Sequence, residues 1–284
     1  MAQDADDAVD CGMTVGLYGR LRPYPWTGGE GGADDGGEEL RERLVNLALS
    51  RAEAYDWYAP AGLRMRGGRS AHPVPDRWFL CDQGGADWTV GEDETGPARE
   101  LLWMRADLPR RIASARLPLL PMTRTASDAL HRAGDFRLAA LRAHLPLHVT
   151  AGEADGDWED MRDWFSLAAP APTVTVRCAV AVSGEETTPP AWRSGGTAAE
   201  VGAVWQTLLG EAVTVAPGAP PATSAAGGGV RYRPYLEPAR PVAAYRCRVR
   251  EWTADAAVWL LETAGEALRR TGHRVPVELT AALA

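Results

Sequence analysis

The sequence predicts an α+β fold with a largely antiparallel or mixed sheet and a few packing helices. Eight segments alternate between apolar and polar residues or are rich in β-branched residues, which is typical of strands. Only four segments carry apolar residues at helical spacing. Because strands outnumber helices and most are separated by turn residues, we expect the sheet to form the larger part of the fold.

Pro118, Pro121 and Pro146 limit their segments to edges or ends of the sheet. The clearest strand is 242–251, where Arg246, Arg248 and Arg250 alternate with apolar residues. Since side chains alternate between the two faces of a strand, these three arginines are expected to share one face. The other predicted strands are 14–22, 77–81, 98–108, 136–149, 173–182, 230–235 and 274–280.

Four helices are predicted from helical spacing and from capping residues. The strongest is 253–271, which begins at a threonine N-cap, buries Trp259 and ends before Gly272. A second helix follows a capping box that starts at Thr197. The remaining two are predicted at 38–54 and 156–167.

The chain divides into two predicted halves. An acidic leader over residues 1–12 is expected to be disordered, 13–150 form an N-terminal α+β half, and 151–284 form a C-terminal α+β half with a Pro/Gly-rich loop at 216–229. The C-terminal strand, helix and strand fit a split β-α-β arrangement. One arrangement of the whole sheet is therefore a pair of ferredoxin-like (split β-α-β) halves. A short echo between 20–24 and 231–235 hints at internal duplication.

All 30 basic residues apart from histidine are arginines, and the chain contains no lysine. Isoleucine and asparagine, which like lysine have A/T-rich codons, occur once each. This composition indicates a GC-rich genome, as in a high-GC bacterium of the actinobacterial type. The absence of lysine excludes Schiff-base chemistry, a phosphate-binding P-loop and a Ser-Lys nucleophile pair.

Motifs for metal, cofactor and nucleophilic chemistry are not recognised. His144 and His148 flank Pro146, which excludes a metal-binding helix, and on a strand their side chains would lie about 13 Å apart. No G-x-S-x-G occurs, and the glycines of 28–37 are followed by acids that would repel phosphate. We therefore expect neither a metal nor a cofactor, and a binding protein rather than an enzyme.

Arginines interleaved with tyrosines are the most suggestive functional feature. Six arginines and three tyrosines occur between 231 and 250. Guanidinium groups bind carboxylate or phosphate through two parallel hydrogen bonds, and aromatic rings stack on bases. Alternatively, these arginines pair with the chain's own acids at 30–42 or 153–163. The candidate ligand-binding residues are Arg231, Arg233, Tyr235, Arg246, Arg248 and Arg250.

Charge is distributed unevenly along the chain. The net charge is −8 overall, −9 over residues 1–100 and +3 over residues 230–284. An acidic protein does not attach generally to nucleic acid. We expect a binding, accessory or assembly protein whose partner is another protein or a second copy of itself. The alternative is an enzyme or RNA-binding protein that acts on RNA or an anionic small molecule through the Arg/Tyr-rich strands.

Export and membrane insertion are not indicated. The first ten residues are acidic and lack the basic and apolar regions of a signal peptide, and no apolar stretch approaches the length of a membrane span. The four cysteines are scattered, and Cys81, Cys178 and Cys247 are predicted to be buried free thiols. We expect a cytoplasmic protein with no membrane partner.

Overall fold

The structure, a computed structural model, confirms the α+β fold. It describes residues 11–27, 36–55, 57, 78–85, 98–108, 116–150, 158–167, 174–183, 196–218 and 239–284. In this part of the chain, eight strands form one antiparallel sheet and five α-helices accompany it. Residues 1–10 of the predicted leader and the predicted strand 230–235 lie outside the described residues.

The elements follow each other in two series. The first series consists of β1 (Gly12–Pro23), α1 (Gly36–Ala54), β2 (Phe79–Gly84), β3 (Arg99–Asp107), α2 (Leu119–Ala133) and β4 (Gly134–Pro146). The second series follows α3 (Trp158–Ser166) and consists of β5 (Val174–Ser183), α4 (Gly196–Leu209), β6 (Thr214–Gly218), β7 (Ala239–Val249), α5 (Ala254–Arg270) and β8 (Pro276–Leu283). The strand order in the sheet is β2-β3-β1-β4-β8-β5-β7-β6.

The same topology occurs twice in this sheet. Each series is a βαββαβ unit whose first strand lies between its third and fourth strands, which is the ferredoxin-like arrangement. The two units join where β4 pairs with β8, from Ala140 opposite Ala282 to Pro146 opposite Pro276. The two expected split β-α-β halves are therefore present. Whether the halves are separate domains divided at 150/151 stays a prediction.

The helices form one layer on the sheet. α1 packs on α2, α2 on α5, and α5 on α4. Alternate side chains of the central strands face this layer and are buried, among them Leu17, Leu141, Leu279, Cys178 and Tyr245. We call the opposite face of the sheet the distal face.

Helix α5 lies in the middle of the helix layer and confirms the predicted helix 253–271. The side chain of its N-cap, Thr253, accepts a hydrogen bond from the backbone N–H of Ala256 at 3.1 Å. Gly272 follows the C-cap with a φ of 90°, a conformation that favours glycine. Trp259 is buried and stacks on Phe165 of α3, with ring centroids 4.5 Å apart. The packing of this aromatic pair holds α3 against α5.

Two elements, α2 and β6, were not expected from the sequence. Pro118 is the N-cap of α2 and Pro121 lies in its first turn, where a missing N–H breaks no helical hydrogen bond. β6 pairs with β7, so residues 216–218, predicted as the start of a loop, belong to a strand. The rest of that loop lies outside the described residues. α4 begins at Gly196, so Thr197 stands inside the first turn and not at the N-cap.

The cysteines are free, and two of the three burial predictions are confirmed. Cys178 and Cys247 are buried, with their Sγ atoms 3.9 Å apart. The pKa of the Cys178 thiol is raised well above its usual value, first by the hydrogen bond with Cys247 and then by the burial of Cys178. The prediction that Cys81 is buried is wrong, because Cys81 is half-buried; its thiol contacts the carbonyl of Arg105 at 3.6 Å. No helix of the described residues is long and apolar enough to cross a membrane.

Candidate functional site

Polar side chains from three neighbouring strands meet in the middle of the distal face. The pairing of β1 with β4 and of β4 with β8 places Thr14, His144 and Glu278 in one row across the sheet. Arg142 lies two residues before His144 and therefore on the same face. Tyr18 of β1 is opposite Ala140 in the next row. We call Tyr18, Arg142, His144 and Glu278 the central polar cluster.

The central polar cluster is buried and its opposite charges are paired. Arg142 and Glu278 are 8% and 7% exposed, and their guanidinium and carboxylate groups form an ion pair. Tyr18 lies near enough to Arg142 to interact with its guanidinium. Burial lowers the pKa of Arg142, but Glu278 and Tyr18 outweigh it and raise that pKa above its usual value. The positive charge of Arg142 is therefore compensated within the cluster.

Exposed arginines occupy the distal face further along the sheet. On β7, Arg246 and Arg248 are exposed there, whereas Tyr245 and Cys247 point toward the helices and are buried. On β5, Arg177 is exposed and lies directly opposite Arg246. Like charges directly opposite each other on adjacent strands repel. We call Arg177, Arg246 and Arg248 the basic patch.

No acidic side chain belongs to the strands that carry the basic patch. The described residues of β5, β6 and β7 include neither aspartate nor glutamate. Glu278, the acid of the central polar cluster, lies on β8 beside β5, but Arg177 is opposite Ala282, four residues further along β8, which is about 13 Å at the usual rise of a strand. Glu278 is already paired with Arg142. The positive charge of the basic patch is thus not offset by the cluster.

The structure separates the six predicted ligand-binding residues. Arg246 and Arg248 share the distal face as expected. The prediction that Arg250 joins them is wrong, because Arg250 follows the end of β7 and its guanidinium donates to the carbonyl of Ser166 in α3. The other three, Arg231, Arg233 and Tyr235, lie outside the described residues.

Tyr245, which alternates with these arginines, cannot stack on a base in this structure. Its hydroxyl donates to the carbonyl of Ala198 in α4 at 2.7 Å, and its ring meets Trp205 edge to face. Burial raises the pKa of Tyr245 to about 12. The alternation of β7 therefore divides arginine and tyrosine between opposite faces of the sheet.

Sequence reasoning missed most of the central polar cluster. Tyr18, Arg142 and Glu278 were not singled out, and His144 was considered only as a metal ligand. The available signal was a polar side chain within an otherwise apolar strand. β4 ends at Pro146, and His148 stands in the short 3₁₀ turn that follows, so the two histidines are not on one strand. Within the described residues, no group of three or more His, Cys, Asp or Glu side chains could hold a metal ion.

The chain matches no protein-family model, no curated protein and no solved structure at a significant level. The fold and the site therefore define a class by architecture alone. It is an α+β protein in which two ferredoxin-like units share one sheet. The distal face of that sheet carries a buried polar cluster and an exposed basic patch.

Proposed function

We propose that the protein is a binding protein that engages an acidic partner protein through the basic patch. The observation that carries the proposal is the exposed Arg177 directly opposite the exposed Arg246 on strands without acidic residues. A carboxylate placed between two guanidinium groups forms charge-assisted hydrogen bonds and removes their repulsion. Arg248 extends the same surface along β7.

An acidic protein is favoured over RNA for two reasons. The net charge of −8 repels a nucleic acid at long range. Single-stranded RNA binding also relies on exposed aromatic rings, and Tyr245 is the one aromatic residue in the described parts of β5, β6 and β7. Because Tyr245 is buried, arginine is the recognition group that remains. A second copy of this chain could also be the acidic partner, since its residues 1–100 carry a net charge of −9.

Replacing Arg177, Arg246 and Arg248 together by glutamine tests the basic patch. We expect the parent to bind a polyglutamate peptide at low salt, and the triple variant to bind it at least about tenfold more weakly, because several charge-assisted contacts are lost. Binding by the parent should also weaken steeply as salt is raised. Substituting Arg177 and Arg246 alone should leave the free energy of unfolding unchanged or slightly increased, because their like-charge repulsion is removed.

The matched control replaces three exposed arginines of the first unit, Arg22, Arg132 and Arg137, by glutamine. This control has the same change in net charge and should bind the peptide as the parent does. Equal loss in both variants would mean that only overall charge matters, which would overturn the proposal. Failure of the parent to bind polyglutamate would overturn it as well. Binding of single-stranded RNA but not of polyglutamate would favour the nucleic-acid alternative, and a salt-sensitive dimer in sedimentation would identify the partner as a second copy.

An enzyme is the second candidate function, and the central polar cluster is the observation that favours it. Tyrosine, arginine, histidine and glutamate side chains close together and shielded from solvent are a common set of groups for proton transfer. The cluster does not need an external anion, because Arg142 is already paired with Glu278. For this reason the binding function is the stronger proposal.

A cytoplasmic location is part of the same proposal and is tested through the cysteines. Mass spectrometry of the unfolded, unreduced protein isolated from its host should detect four alkylated thiols. The sulfur atoms of Cys178 and Cys247 lie 3.9 Å apart, so these two cysteines could form a disulfide in an oxidising compartment. A bond between them in the isolated protein would contradict the cytoplasmic assignment. A reduced and alkylated sample serves as the reference mass.

A further inference from the structure

A small cavity lies in the helix layer, on the side of the sheet opposite the basic patch. It is formed where α5 meets the end of β4, the start of α2 and the start of α3. Its volume of about 30 Å³ is enough for one water molecule or a group of similar size. Leucines form an apolar wall, among them Leu119, Leu145 and Leu147, and the polar side chains of Arg116, Trp158 and Glu262 are part of the lining.

The polar side chains contact each other across the boundary between the two units. Nη2 of Arg116 lies 3.6 Å from Oε2 of Glu262, and the guanidinium carbon of Arg116 lies 5.1 Å from the centre of the Trp158 ring. Trp158 is 7% exposed, and its indole N–H has no hydrogen-bond acceptor among the described residues. A buried donor without an acceptor is unfavourable. The cavity therefore presents a donor to whatever enters it.

Glu262 adds a second donor when it is protonated. Burial raises the pKa of Glu262 to about 7, while Arg116 acts in the opposite direction. The other charged groups that line the cavity are Glu266 and Arg269, which form an ion pair at 2.8 Å. Near neutral pH the cavity therefore offers the indole N–H, the guanidinium and, in part of the molecules, a carboxylic O–H. All three donate hydrogen bonds.

We propose that this cavity binds the carboxylate head of a small monocarboxylic acid with an apolar tail, together with one proton on Glu262. The cavity is partly open, so the head occupies it and accepts hydrogen bonds from Trp158, Arg116 and the protonated Glu262, while the tail extends along the leucines toward the opening. When Glu262 is ionised, it competes for Arg116 and repels the incoming carboxylate. Binding is therefore coupled to protonation and is independent of the basic patch.

Titration with hexanoate, followed through the indole N–H signals in ¹H–¹⁵N spectra, tests this site. The chain has eleven tryptophans, and Trp158→Phe identifies the signal of Trp158. We expect hexanoate to shift that signal, because the indole N–H gains an acceptor. The affinity of the parent should fall by about tenfold per pH unit above pH 7, since one proton is taken up with the ligand. Hexanol, which has no carboxylate, should not shift the signal.

Glu262→Gln separates the proposed role from a structural one. The glutamine amide donates at every pH, so this variant should bind hexanoate with an affinity that does not change between about pH 6 and pH 9. Glu159→Gln, an exposed change on α3, should behave as the parent. An unshifted Trp158 signal at pH 6 would overturn the proposal. Equal affinity of the parent for hexanoate at about pH 6 and pH 9 would overturn it as well. If Glu262→Gln does not fold, the pH dependence of the parent alone decides.

Discussion

Replacing Trp259 by alanine is expected to lower the free energy of unfolding by about 3–5 kcal/mol, the range for deleting a large buried aromatic side chain. Trp259 is 2% exposed on α5, the helix that packs on both α2 and α4. Its ring stacks on Phe165, so the substitution removes contacts with α3 as well. The remaining cavity lies in the middle of the helix layer and cannot collapse without moving neighbouring helices. Urea denaturation followed by circular dichroism measures the loss.

Two controls separate burial from other effects of removing a tryptophan. Trp164→Ala removes the same side chain from an exposed position on α3, where Trp164 is 66% exposed, and should change stability by less than about 0.5 kcal/mol. Trp259→Phe should cost well under half of the alanine loss, because an aromatic ring is kept and the indole N–H of Trp259 has no hydrogen-bond partner among the described residues. A Trp259→Ala variant that unfolds at the denaturant concentration of the parent would show that the buried face of α5 is misassigned.

Local periodicity predicted most of the elements correctly. The alternation in β7 separates Arg246 from Tyr245 and Cys247, and the structure places these residues on opposite faces of the strand. The helix α5 was predictable because its cap, its apolar stripe and its final glycine agree. Both signals depend only on neighbours in the sequence, so the strand and the helix can be predicted without knowledge of the fold.

Elements whose stability comes from tertiary contacts were not predicted. The prolines near the start of α2 argued against a helix in the sequence. The helix forms nevertheless, because Pro121 lies in the first turn, where no helical hydrogen bond is lost. β6 contains Pro217 and Gly218, which are typical of turns, and becomes a strand by pairing with β7. Sequence alone does not specify that partner.

The candidate site depends on strand order, which the sequence did not provide. Arg142 and Glu278 lie far apart in the chain and meet because β4 pairs with β8 in one particular register. Arg177 likewise faces Arg246 only through the pairing of β5 with β7. The structural repeat also differs from the sequence echo. Residues 20–24 begin in β1, whose counterpart in the second unit is β5, whereas 231–235 come before β7.

Breaking the ion pair of the central polar cluster is the second change with a large expected effect. Arg142→Ala should lower the free energy of unfolding by about 3–5 kcal/mol, because it leaves the carboxylate of Glu278 buried without its partner. The favourable interaction of Tyr18 with the Arg142 guanidinium is lost as well. Arg137→Ala on the same strand is the control; Arg137 is exposed, and its removal should cost less than about 0.5 kcal/mol.

Removing both charges is expected to restore most of this loss. In Arg142→Met/Glu278→Leu, no charge remains buried, and apolar side chains of similar length fill the space, which in other buried pairs is neutral or stabilising. The double variant should therefore unfold within about 1.5 kcal/mol of the parent, although Arg142→Ala alone does not. If the double variant is as unstable as Arg142→Ala, the burial of Tyr18 and His144 depends on the ion pair. A stable double variant that still binds polyglutamate would place binding on the basic patch and leave the cluster free of any part in it.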